Sequence, residues 1–271
     1  MPVVNLVLPR LVSFEGTARR AASVTERNVA CLRSMYWVVL LSGFLEPVLY
    51  LFSIGVGVGG LIGDIALPGG RVVGYAEFVA PAMLASSAMS GALSETTFNF
   101  FGKMKFMRLY EGILATPVKP MEIALGELAW AMVRGVLYSA AFLVIMVALD
   151  LTSPLRALAM FPASALIGFA FGALGMTIST LIRSWQEFDL IASGQFALFL
   201  FSGTFVPATR YPAPFRWLVE VTPLYRSVDL ARALSLGPVG ATQLLDVLYL
   251  LALFAIGLAV AGRRMGRMLC K

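Results

Sequence analysis

The chain has 271 residues, of which 59% are hydrophobic and only 13% are charged, and its formal net charge is +6. Average soluble domains are about 45–50% apolar and about 25% charged, so this composition indicates a membrane protein. The absence of histidine excludes His-based general base catalysis and His-ligated metals, and two cysteines cannot form a four-thiolate metal site.

The first predicted element is a leader, residues 1–34, that precedes the first long apolar run. The part from 11 to 33 mixes apolar and charged side chains, namely Leu11, Val12, Phe14, Val24 and Val29 with Arg19, Arg20, Glu26 and Arg27. This mixture is typical of an amphipathic helix that lies along the cytoplasmic membrane surface, with its arginines toward anionic lipid. A solvated basic leader is the alternative.

Six later segments are apolar enough, and long enough, to cross the hydrocarbon core as helices, which takes about 20 residues. They are residues 35–58, 78–100, 124–148, 157–182, 188–206 and 243–262. The sequence therefore predicts an all-α membrane protein in which a six-span domain, 35–262, is followed by a basic tail, 263–271. We expect this domain to be multi-pass in the plasma or inner membrane.

The distribution of charge predicts the orientation of these spans. An even number of spans places both termini on one face, and most of the lysines and arginines then fall on that face. The positive-inside rule assigns this face to the cytoplasm. Cys31 and Cys270 lie at its boundary, where thiols normally stay reduced, so we expect no disulfide.

The loop between the second and third spans, 101–120, reads FGKMKFMRLYEGILATPVKP and is called the basic loop below. Apolar and charged side chains alternate along it, and Pro117 and Pro120 end any helix near Thr116. A short amphipathic helix at the membrane exit is suited to dock on a soluble partner. A loop that only enforces topology through its charge is an equal alternative. The candidate docking residues are Met104, Met107, Arg108, Tyr110, Glu111, Ile113 and Leu114.

Four charged residues fall well inside predicted spans, and three of them, Arg134, Glu127 and Glu95, are candidates for a gate. A charge at mid-bilayer costs at least about 2.5–3.5 kcal/mol, so such groups need partners in protein or water. We expect Arg134 to pair with Glu127 or Glu95 and to shape the cytoplasmic opening of a pathway. A purely structural ion pair is the equal alternative. Gly168, Gly172 and Gly175 form a small-residue stripe on the fourth span, with Gly168 and Gly172 at GxxxG spacing, which predicts close helix packing.

After the fifth span, residues 207–240 are too polar for one crossing and too apolar for a free loop. Two pieces, 212–221 and 223–236, each start with a proline, which is favoured in the first turn of a helix. Each piece would reach about 15–20 Å, which is half a bilayer. We predict a pair of re-entrant helices that forms an outer lid, and a surface-lying helical loop is the alternative. The lid residues are Pro207, Pro212, Trp217, Pro223 and Tyr225.

Several of these segments resemble one known family. The residues 200–237, with FSGTFVP and YPAPFRWLVEVTPLYRSVDLARALSLG, look like the signature region of ABC-2 type transporter permeases. The residues 75–106 and 110–135, and the RSWQEFDL turn at 183–190, are similar to the branch that contains the nodulation-factor (lipooligosaccharide) exporter permease and the daunorubicin-type drug exporters. In LYRS, Arg226 replaces the histidine or small residue that many relatives have.

The resemblance implies an exporter of amphipathic molecules that works as two copies, this chain with itself or with a homologous permease, docked onto two ATP-binding cassette subunits. The basic loop would then contain the coupling helix, and 121–130 would be a gate-like helix. No GxxxxGK(S/T) motif occurs, so we expect this chain to be no enzyme, to bind no cofactor, and to leave ATP and magnesium to its partner.

Two other classes of function compete with the exporter. An ion-coupled secondary transporter would require an inverted repeat with broken midplane helices, and no convincing internal repeat occurs. An intramembrane transferase would require paired catalytic carboxylates, whereas residues 207–240 contain only Glu220 and Asp229 as acids. Membrane lipid is the remaining expected partner, and the net positive charge is explained by topology without nucleic acid.

Overall fold

A computed structural model describes residues 4–32, 45, 48–49, 51–66, 72–237 and 239–269. The leader forms one long helix, α1 (Val4–Leu32), which extends further toward the N-terminus than its amphipathic part predicted. Most of the first predicted span, 35–58, lies outside the described residues. Its last part is helical, with a π-helical segment, Ser53–Val58, followed by the short helix α2 (Gly59–Ile62).

A small antiparallel hairpin follows α2 and is a local departure from the all-α prediction. The strands β1 (Asp64–Ala66) and β2 (Val72–Gly74) pair with Ile65 opposite Val73. Because β2 leads directly into the next helix, the hairpin lies at the end of the molecule opposite the basic loop.

The second and third predicted spans correspond to long helices on either side of the basic loop. Helix α3 (Tyr75–Ser94) continues into two π-helical segments, Glu95–Asn99 and Gly102–Phe106. After a break, helix α4 (Leu109–Leu114) forms the centre of the basic loop. Helix α5 (Pro120–Ala148) begins at the proline that was expected to end the loop, and the Glu122 side chain caps it by accepting from the Lys119 amide at 2.8 Å.

The second half of the chain adds five helices. Helix α6 (Pro154–Ser179) matches the fourth predicted span and starts with an N-cap, where the Ser153 hydroxyl accepts from the Arg156 amide. Helix α7 (Glu187–Leu200) is followed by helices α8 (Ala213–Val221) and α9 (Pro223–Leu236) and by the long helix α10 (Ala241–Leu269). The expected basic tail is therefore not a separate segment up to residue 269, since it forms the last turns of α10.

Helix α6 lies at the centre of the packing, against α3, α5 and α10. The glycine stripe predicted for close packing explains how these helices approach, because an added Cβ at Gly172 would lie 2.7 Å from Leu128 of α5. At Gly168 it would lie 3.0 Å from Met132, and at Gly175 it would collide with Thr96. The stripe therefore packs against helices of the same chain.

Within the described residues, three helices are long and apolar enough to cross a membrane, namely Pro120–Ala148, Pro154–Ser179 and Ala241–Met268. The fifth predicted span, 188–206, is shorter in the structure, because α7 has only 14 residues and ends at Leu200. The residues 201–206 form turns instead of a further helical turn. The structure is therefore that of a helical membrane protein whose spans differ in length.

Candidate functional site

The basic loop does not form one amphipathic helix, since it breaks at Arg108. This residue adopts a left-handed conformation with φ 46°, which is uncommon for a residue other than glycine. The break separates the π-helical segment that ends at Phe106 from helix α4. It leaves Phe106 62% and Met107 73% exposed at the tip. Glu111 is also exposed, and Ile113 and Leu114 are half-buried.

Two of the candidate docking residues instead hold the loop on the helices. Met104 and Tyr110 are buried and pack in one apolar cluster with Phe100, Ile123 and Met265. Burial and the negative charge of Glu127 raise the pKa of the Tyr110 hydroxyl well above its usual value. The loop is thus anchored from beneath while its tip remains free for a partner.

Glu127 of α5 is the junction of three elements. Its side chain is only 5% exposed, and its Oε2 accepts from Lys103 Nζ of the basic loop at 2.6 Å. Its Oε1 lies 3.5 Å from Arg27 Nη2 of the leader. Asn28 of the leader completes the junction, because its Oδ1 accepts from the same Lys103 Nζ at 3.2 Å. The loop, the leader and α5 are therefore joined through one buried carboxylate.

The leader is fastened to α5 at further points. Arg20 Nε donates to Glu122 Oε2 at 2.8 Å, and its Nη2 lies 2.8 Å from Oε1, so an ion pair joins the leader to the start of α5. The hydrogen bond to Glu122 raises the pKa of Arg20 above its ordinary value. The Thr25 hydroxyl donates to the Gly126 carbonyl at 3.0 Å. The leader therefore packs on a helix instead of resting on lipid alone.

Five aromatic rings join the basic loop to α7 on its other side. They belong to Phe98, Phe101, Phe106, Trp185 and Phe188, with centroid separations from 4.8 to 6.0 Å. Trp185 lies in the turn between α6 and α7, and Phe188 lies in the first turn of α7. This aromatic cluster links the loop to a helix that otherwise contributes no buried residue.

The predicted gate charges do not meet in one group. Arg134 contacts Glu95, the second of the two expected partners, and donates to the Tyr138 hydroxyl at 3.0 Å. Glu95 also accepts from the Asn99 amide at 2.7 Å. Glu127 is part of the junction at the end of α5 and does not pair with Arg134. The Arg134–Glu95 pair links α5 to the end of α3.

The outer segment forms the two short helices that its prolines predicted. Pro207 precedes a short 3-10 turn, Ala208–Arg210, and Pro212 is the N-cap of α8. Helix α8 is largely exposed, with Trp217 69% accessible, whereas α9 is largely buried against α3 and α10. Pro223 starts α9, and the half-buried Tyr225 packs over Gly203.

Arg226 of α9, the arginine of the LYRS motif, has a partner in the last helix. Its Nη1 donates to Asp246 Oδ1 of α10 at 3.2 Å, and the Asp246 side chain is fully buried. This ion pair joins α9 to α10.

Several residues of the site carried no signal in the sequence that could assign them. The charge distribution assigned Lys103, Arg27 and Arg20 to topology, and no motif singled out Glu122. Trp185 belongs to the RSWQEFDL turn, and nothing else in the sequence distinguishes it. Among the residues that the structure describes, no group of three or more Cys, Asp or Glu side chains is placed to hold a metal ion.

Comparison with known proteins agrees with this architecture. The ABC-2 type transporter family matches residues 22–236. Nodulation protein J of Rhizobium leguminosarum bv. trifolii is 34% identical over 228 residues, which cover 84% of this chain and 85% of that protein. Nodulation protein J of Rhizobium leguminosarum bv. viciae is 31% identical over 250 residues, which cover 90% of this chain and 95% of that protein. The match includes the basic loop, the Glu127 junction and the outer helices, and the chain belongs to the ABC-2 type transporter family.

Proposed function

We propose that this chain is the permease subunit of an ATP-driven exporter that moves amphipathic molecules outward, either lipid-linked oligosaccharides or hydrophobic drugs. The proposal has two copies of the permease, or one with a homologous permease, docked on two ATP-binding cassette subunits in the inner membrane. Both termini and the basic loop face the cytoplasm. ATP and magnesium bind to the partner, because this chain has no phosphate-binding loop.

The observation that carries the proposal is the tip of the basic loop. Phe106 and Met107 are large apolar side chains that are mostly exposed, and Lys105, Arg108 and Glu111 surround them with charge. An apolar centre with a polar rim is typical of a protein interface. Since Tyr110 and Met104 fix the loop to the helices beneath, a partner bound at the tip would push on the whole assembly.

Two connections would carry that push into the membrane. On one side, the 2.6 Å ion pair between Lys103 and Glu127 would make α5 and the leader move with the loop. On the other side the aromatic cluster passes it to the start of α7. Packed elements with close contacts move as rigid bodies, which is how a docking event becomes a displacement of helices. The outer helices α8 and α9 would respond as the lid on the far side.

Co-expression of the chain with its ATP-binding cassette subunit tests the proposal. We expect Met107→Asp to reduce co-purification of the ATPase by about tenfold, which corresponds to roughly 1.4 kcal/mol of interface energy. Val239→Asp is the matched control, since Val239 is similarly exposed at the opposite end. Export that continues without the ATPase and depends on a proton gradient would contradict the proposal in favour of an ion-coupled transporter.

A further inference from the structure

An apolar groove of about 1180 Å³ lies between the leader helix α1 and helix α5. Ligand pockets are typically about 300–1,000 Å³, so the groove is large enough for a sizeable apolar group. Its leader side is made of small residues such as Ala18, Ala22 and Ala30. Its other wall includes Trp130 and Val133 of α5. Neither the junction at Glu127 nor the tip of the basic loop uses this space.

The groove is held open by the way in which the leader is fixed. Arg20 and Arg27 fasten one edge of α1 to Glu122 and Glu127, while the alanines on the neighbouring edge leave a gap beside α5. Phe169 of α6 and Phe254 of α10 form the base, with ring centroids 5.5 Å apart. The groove is therefore bounded by a leader edge that is fixed to α5 and by a packed aromatic base.

The chemistry of the lining favours a hydrocarbon chain. Its two polar residues are Thr25 and Glu26. The Thr25 hydroxyl is already engaged by the carbonyls of Ala21 and Gly126, and Glu26 lies on the exposed rim. The α5 wall runs from Leu125 to Val133. That is a rise of about 12 Å, comparable to the hydrocarbon thickness of one leaflet, about 15 Å.

Cationic side chains near the same end favour a negatively charged headgroup. An added Cβ at Gly262 would collide with Met121, so the last turns of α10 lie beside the start of α5. Arg263 and Arg267 are exposed on those turns, and Arg19 is exposed on the leader. None of the three forms an ion pair with another described residue. Cations near a membrane surface attract anionic lipids with about 1 kcal/mol each.

We propose that the groove binds an acyl chain of an anionic phospholipid, with the phosphate held near Arg19, Arg263 and Arg267. The lipid would fill the space beneath the leader and so hold α1 against α5 while its other edge is held by ion pairs. The proposal rests on the proposed function only for its choice of the cytoplasmic leaflet. Binding itself requires neither an ATPase nor a cargo.

Native mass spectrometry of the full-length chain, purified in mild detergent and supplied with phosphatidylglycerol or phosphatidylcholine, tests this site. We expect one retained phosphatidylglycerol per chain and weaker retention of phosphatidylcholine. Ala129→Trp places an indole in the groove and should lower the retained fraction about tenfold. Ala252→Trp is the matched control, since Ala252 is exposed on α10 outside the groove. Equal retention by the two variants, or no retained lipid in the wild type, would overturn the proposal.

A second variant separates the headgroup from the chain and does not depend on the folding of Ala129→Trp. The double substitution Arg19→Gln with Arg263→Gln should remove the preference for phosphatidylglycerol, a change of about tenfold, and leave phosphatidylcholine retention unchanged. If the double variant still prefers phosphatidylglycerol, the assignment of the headgroup to these arginines is wrong. If the groove retains an exported cargo in place of phospholipid, the proposed class of ligand is wrong. If no ATP-binding cassette subunit binds to the chain, the proposed function is refuted, but the lipid measurements described above are unaffected.

Discussion

Replacing Gly126 with alanine tests whether the leader helix packs tightly on α5. The added Cβ would lie 2.6 Å from both the Ala21 carbonyl oxygen and the Val24 Cβ, far inside the usual contact distance of about 3.5–4.0 Å. The carbonyl belongs to the backbone, so relief requires the whole leader to move. Such overpacking costs about 1–3 kcal/mol, and the gain in helix propensity from glycine to alanine offsets about 1 kcal/mol.

Gly135 provides the matched control on the same helix. No described neighbour lies within 4 Å of its added Cβ, so Gly135→Ala gains the propensity without a clash. The two variants should therefore differ in unfolding free energy by about 1–3 kcal/mol, which equals the clash alone. Thermal unfolding in detergent measures this difference, and limited trypsin digestion at the leader arginines reports release of α1. Equal stability and equal digestion of the two variants would refute the close approach of the leader.

Three further substitutions test the ion pairs and Tyr110. Glu127→Gln should cost about 1–3 kcal/mol of stability and expose the leader to trypsin. This cost is below that of a fully buried ion pair because the side chains of Lys103 and Arg27 are 18% and 32% exposed. Glu111→Gln at the exposed tip should change neither stability nor digestion. Arg134→Met should cost about 3 kcal/mol in thermal unfolding, since it removes the ion-pair partner of the buried Glu95, which keeps its hydrogen bond from Asn99. Adding Glu95→Gln should recover most of this cost. Full stability and full export of Arg134→Met would remove any role for the pair. Because the pKa of Tyr110 is raised, above about pH 10 the unfolded chain loses the Tyr110 proton while the folded chain keeps it, so stability should fall as the pH rises. Tyr110→Phe should remove this part of the decline in a pH series of unfolding midpoints. Parallel curves for the two proteins would contradict a buried, protonated Tyr110.

The outer helices show which features a sequence specifies locally. Pro212 and Pro223 fix the backbone at helix starts, so the bounds of α8 and α9 followed from their positions within about one residue. The break at Arg108 had no such marker, because a left-handed arginine resembles any other residue in the pattern. The fifth predicted span was too long for a similar reason, since hydropathy continues through the turns at 201–206.

The partners of the charged residues could not be assigned from sequence because they are far apart along the chain. Arg27 and Glu127 are separated by 100 residues, and Arg20 and Glu122 by 102. The mixture of apolar and charged residues in the leader predicted arginines that face anionic lipid, and this local pattern contains no information about a distant helix that pairs with them. The partner of Arg134 was easier to predict, because the free-energy cost of an unpaired charge in the bilayer limits it to the few acidic residues within the spans. Arg134 contacts one of them, Glu95.

The two connections of the basic loop differ in a way that matters for motion. Glu127 binds Lys103 and Arg27 through directional charge contacts, so a shift of the loop by a few ångströms would break the junction or carry α5 and the leader with it. The aromatic cluster is held by uncharged ring contacts, and because rings pack in both offset and edge-to-face arrangements, it tolerates sliding while the rings stay in contact. A push on Met107 should therefore displace α5 and α1 together and let α7 slip relative to the loop. Cysteines that replace Phe106 and Trp185 should therefore arrest transport when they are cross-linked, because the loop and α7 could then no longer slide past each other.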